Sequence, residues 1–111
     1  MDHVDLGAVA REQAEAAVTA GSGRAAVTVF GGQANTLRQT VIALRAGAVL
    51  DDHENPGEAT LHVLSGRVRL VGAQTGDAAE GQTGTLLVVP EERHRVEAVE
   101  DSVILLTVGK H

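Results

Sequence analysis

The sequence predicts an all-β fold of barrel or sandwich type, preceded by one short N-terminal α-helix. Two observations carry this. The hydrophobic period changes from helical to two-residue after Gly23, and from there about seven or eight short β-branched segments alternate with glycine-rich turns. Alternating β and α units, the signature of a parallel α/β fold, are absent from this pattern.

The helix comes first. Leu6, Val9, Ala10, Ala14, Ala17 and Val18 recur at three- and four-residue spacing, with Arg11, Glu12 and Glu15 on other faces. Asp5 is the expected N-cap, and Gly21-Ser22-Gly23 the expected stop. An alanine-rich stripe of this kind needs tertiary packing to persist, so the helix is expected to lie on a face of the β-structure rather than extend as a dimerisation arm. Strands are expected over residues 25–30, 37–44, 59–64, 67–71, 85–89, 95–99 and 102–108. Ser65-Gly66 reads as a tight hairpin connection, and residues 72–84 as a loop with room for one poor edge strand. The division is thus residues 1–23, helix and linker, then 24–111, the β-domain, as one domain overall.

Composition excludes several functions. The chain has 111 residues and a formal net charge of -6, which opposes binding to phosphate backbones. Phe30 is the only aromatic residue, so no stacking platform exists and the core must be built from Val, Leu, Ile and Ala. With no cysteine, any metal must be held by imidazole, carboxylate or water. No apolar stretch is long enough for a membrane span, and Met-Asp-His-Val-Asp-Leu lacks the basic start of a signal peptide, so the expectation is a cytoplasmic protein. The preference for arginine over lysine and the abundant alanine suggest a bacterial source.

Acid-base and metal chemistry both need convergent polar groups in an apolar pocket. Two segments supply candidates. One runs Gly47-Ala-Val-Leu-Asp-Asp-His53-Glu-Asn55-Pro-Gly-Glu58-Ala-Thr-Leu-His62-Val-Leu-Ser-Gly66; the other runs Gly84-Thr-Leu-Leu-Val-Val-Pro90-Glu-Glu-Arg-His94-Arg-Val. Together they resemble the paired motifs of the cupin superfamily, with Gly47, His53, Glu58 and Gly66 on the first motif and Gly84, Pro90 and His94 on the second. The resemblance spans residues 37–108. It implies a cupin-type double-stranded β-helix barrel, and within the superfamily it points to compact single-domain members of mostly unassigned function.

The resemblance further implies a divalent metal, iron, manganese, nickel or zinc, held by His53, Glu58 and His94. Two histidines and one carboxylate leave open positions for water and substrate. Three departures stand against it: Asn55 replaces the second histidine of His-x-His, the interval from Pro90 to His94 is one residue short, and Ala98 replaces a frequent asparagine. The alternative is a set of hydrogen-bonded pocket histidines without metal. Period-two alternation puts Glu58, Thr60, His62 and Leu64 on one strand face. If Glu58 faces inward, Thr60 lines the pocket and His62 becomes a fourth ligand or an acid-base catalyst. Gln39 is assigned to the pocket with Asn55; if the other face of that strand looks inward, Arg38 and Thr40 belong to the pocket or to a subunit interface. The readings are a barrel that binds a small molecule, a metal enzyme of oxygenase or isomerase type, and a non-catalytic sensing module. A homodimer is the expected partner state.

Overall fold

A computed structural model of the chain describes residues 1–53 and 57–110, and of Asp52 and His53 it describes the backbone alone. One helix precedes nine strands among the described residues. Helix α1, Leu6–Thr19, is capped by Asp5, whose Oδ1 accepts the Ala8 N–H at 3.1 Å. The strands are β1 Arg24–Phe30, β2 Leu37–Leu44, β3 Val49–His53, β4 Gly57–Ser65, β5 Arg67–Gly72, β6 Ala78–Gln82, β7 Leu86–Val88, β8 His94–Ala98 and β9 Ser102–Lys110.

They form two antiparallel sheets, β1-β2-β9-β4-β7 and β3-β8-β5-β6. Inward side chains of both sheets share one apolar cluster. Ile42, Leu44, Leu61, Val63 and Ile104 come from the first sheet, and Val68, Leu70, Val96 and Ala98 from the second. As expected of a chain with one aromatic residue, branched aliphatics fill this core, and Phe30 stands half-exposed outside it. Interdigitation of small branched side chains substitutes for ring packing.

Helix α1 covers the outer face of the larger sheet. Ala17, 2% exposed, joins Val41, Ala43, Val103 and Leu105, with Leu6, Val9 and Ala14 packed alongside. Residues 41–44 are therefore buried on both faces, inward against the barrel and outward against the helix.

The two ends of the barrel differ. At one end Gly66, at φ 96°, turns β4 into β5, and a Cβ there would collide with Ser102 Oγ and the Asp101 carbonyl. Ser102 is buried and joins the sheets: its Oγ accepts from the Arg67 N–H at 3.0 Å and donates to the Glu100 carbonyl at 2.8 Å. At the other end β3 leads to β4 and β7 leads to β8, so the last residues of β3 and β7 lie with the first of β4 and β8.

β6 is the edge strand for which the glycine-rich stretch 72–84 leaves room, paired with β5 at the margin of the smaller sheet. β3 lies outside the expected strands; its pairing with β8 shifts register between Leu50 and His53, and an irregular ladder carries no clean two-residue alternation.

Candidate functional site

His94 opens β8 at the end of the barrel where the strand connections cross between sheets. It is 3% exposed and shares the inward face with Val96 and Ala98. In register it stands opposite His53 of β3 on one side and Gly72 of β5 on the other. Its Nδ1 lies 3.1 Å from the Glu92 carbonyl oxygen. A carbonyl only accepts, so in the neutral ring the proton sits on Nδ1 and Nε2 is the basic nitrogen.

Glu92 is itself fixed from the other direction. Its Oε1 accepts the backbone N–H groups of Gln74 at 2.8 Å and Thr75 at 3.1 Å, and the Thr75 hydroxyl donates to Oε2 at 3.1 Å. These backbone donors, Thr75 first and Gln74 next, hold the Glu92 carboxyl below the usual glutamate range. The close approach requires Gly72, where a Cβ would run into the carboxylate.

The remaining expected site residues separate from His94. On β4, Ala59, Leu61 and Val63 point into the barrel core, so the alternate residues face out. Glu58 is exposed, contrary to its expected role as an inward metal ligand. His62 pairs with Leu105 of β9 and Leu86 of β7, on the outer face, and is corrected from a pocket acid-base group to an outer-surface residue. Thr60 lies on that same outer face, between Thr107 and Val88. Gln39 is outward too: its Nε2 donates to Thr107 Oγ1 at 3.2 Å, and Val41 on the same face packs under α1. Asn55 lies outside the described residues, as does the side chain of His53.

The inward face of β2 carries Arg38 and Thr40 instead, ahead of the core residues Ile42 and Leu44. Arg38 pairs with Val108, which pairs with Ala59. Arg38 is thereby at the same end of the barrel as His94, on the opposing sheet.

Comparison with solved structures gives the wider frame. The chain is 28% identical to a conserved protein of unknown function from Streptococcus pyogenes, covering 83% of this chain and 78% of that one at a TM-score of 0.72. It is 26% identical to an RmlC-like cupin from Desulfovibrio desulfuricans, covering 76% and 79% at a TM-score of 0.65. The chain is a cupin-superfamily protein. Salicylate 1,2-dioxygenase from Pseudoaminobacter salicylatoxidans shares the fold at a TM-score of 0.75 and 19% identity; the match covers 92% of this cupin and 32% of that chain. No protein-family model matches this cupin, and no curated protein matches it in sequence.

In this cupin the three-ligand set expected from the motifs does not assemble. His94 and Glu58 belong to opposite faces of the barrel wall, and among the described residues no three His, Asp or Glu side chains converge on one centre. The described residues therefore do not fit a metal bound by His53, Glu58 and His94 together. No helix among the described residues is long and apolar enough to cross a membrane.

Proposed function

We propose that this cupin binds a small molecule at the end of the barrel where β8 begins. The observation that carries the reading is His94: a buried imidazole with its ring held by the Glu92 carbonyl, on the same face of β8 as Val96 of the aliphatic barrel core. Apolar surroundings with one oriented polar group are the usual composition of a small-molecule site. The test is an amide NMR titration of the labelled full chain with a mixture of small alcohols, amides and carboxylates. Shifts gathered on Gly72, His94 and Val96 are expected, and shifts confined to the outer face of β4 and β7 overturn the reading.

A second reading, a metal-dependent enzyme of oxygenase or isomerase type, draws support from the pairing of His53 with His94 across β3 and β8. The salicylate dioxygenase has the same fold, which by itself carries no substrate across. Its test is metal analysis of untagged protein for iron, manganese, nickel and zinc, repeated on His53→Ala and His94→Ala. Stoichiometric metal lost in both variants supports it; a metal-free wild type overturns it.

The same proposal has the chain acting as a homodimer. Leu86, 60% exposed, and Val88, 77% exposed, leave β7 with an apolar outer face at the edge of the larger sheet. Sedimentation at low concentration decides this, since a persistent monomer contradicts it.

A further inference from the structure

Five arginines of this chain reach an acceptor that their position explains. Arg24 donates to the Val49 carbonyl at 2.7 Å, Arg45 pairs with Asp101, Arg67 with Glu80 and Glu100, and Arg69 and Arg95 with Glu97. Arg38 differs. It is partly buried on the inward face of β2, Val108 opposite it and Ala59 one strand further on are core residues, and its guanidinium makes no hydrogen bond or ion pair with any described residue.

A guanidinium partly withdrawn from water beside apolar side chains, with no carboxylate of a described residue to meet it, is less stable than one that is paired. Thr40 follows Arg38 on the same face, and its hydroxyl likewise makes no bond with any described residue. From the opposing sheet His94 faces the same end of the barrel.

Resting on the small-molecule reading above, we infer that the ligand is a small organic monocarboxylate. Its carboxylate is held by Arg38, with Thr40 beside it, and its apolar body lies against Ala59, Val89, Val96 and Val108. The fork of the guanidinium matches two carboxylate oxygens, a geometry that a neutral amide cannot reproduce.

The experiment compares benzoate with benzamide, and hexanoate with hexanamide, by amide NMR on the full chain. The carboxylates are expected to shift Arg38, Thr40 and Val108 with saturation, and to bind about tenfold or more tighter than the matching amides. Arg38→Gln is expected to erase that preference and Arg38→Lys to keep part of it, while Arg69→Gln, a charge loss on the outer surface, leaves it unchanged. If carboxylates and amides shift the same inward residues equally, and Arg38→Gln changes neither, the carboxylate assignment falls and the pocket stands. If no probe shifts an inward residue up to about 50 mM, both fall together.

Discussion

Glu92 and His94 are coupled through a single residue's two ends: the Glu92 carbonyl takes the His94 Nδ1 proton, while its carboxylate takes the N–H groups of Gln74 and Thr75. The turn between β5 and β6 and the orientation of the imidazole therefore depend on the same short segment. Because both contacts belong to Glu92, disturbing the turn is expected to reach the ring.

The first prediction concerns pH. The Glu92 carboxyl is held below its ordinary value by the Thr75 and Gln74 N–H groups, so it adds stability that is complete above the ordinary glutamate range. That stability is lost as pH falls through the lowered folded value. Glu92→Gln should lose stability near neutral pH and show a flatter acid limb than wild type in thermal unfolding followed by circular dichroism. Equal acid limbs in the two proteins would refute the assignment.

The two faces of β4 give a second prediction. Glu58→Ala and His62→Ala should leave ligand binding and any metal content unchanged, because both residues lie on the outer face. His94→Ala should reduce ligand affinity by about tenfold or more, given the loss of a buried polar contact. Loss of binding in His62→Ala, measured by the same NMR titration, would reverse the facing assigned to the strand.

Ser102 joins β9 to β5 at the opposite end of the barrel. Ser102→Ala leaves the part-buried Arg67 N–H without its acceptor, and a destabilisation of about 1 kcal/mol is expected in urea unfolding. A change too small to measure would mean that water replaces the hydroxyl there.

Helix α1 supplies the fourth prediction. Ala17 is 2% exposed against Val41, Ala43 and Val103, so Ala17→Glu puts a carboxylate into an apolar seam. A loss of more than about 2 kcal/mol is expected, with protease cutting at the helix as its signature. An unchanged cutting pattern would show that the helix tolerates detachment.

The fold was readable because two independent patterns agree: period-two alternation after Gly23 and glycine turns between the strands. The site was less readable, and β4 shows why. Ala59, Leu61 and Val63 form an unbroken apolar set, whereas Glu58, Thr60 and His62 do not; binary patterning alone sends the latter outward. Glu58 holds the motif's glutamate position, but its neighbour Ala59 takes the inward one. On β2 no such signal exists. Val41 and Ala43 are buried by the helix as Ile42 and Leu44 are by the barrel, so both faces carry apolar residues and only the folded chain distinguishes Arg38 from Gln39. β3 carries no clean alternation because its register shifts at the very segment that brings His53 opposite His94.

The aliphatic core has a spectroscopic consequence. With neither tryptophan nor tyrosine, and with Phe30 outside the packed interior, the protein is nearly dark in the near ultraviolet. Any chromophoric compound retained in the barrel through purification would account for essentially all absorbance and emission in that window, so the natural occupant can announce itself in the spectrum of the untreated protein.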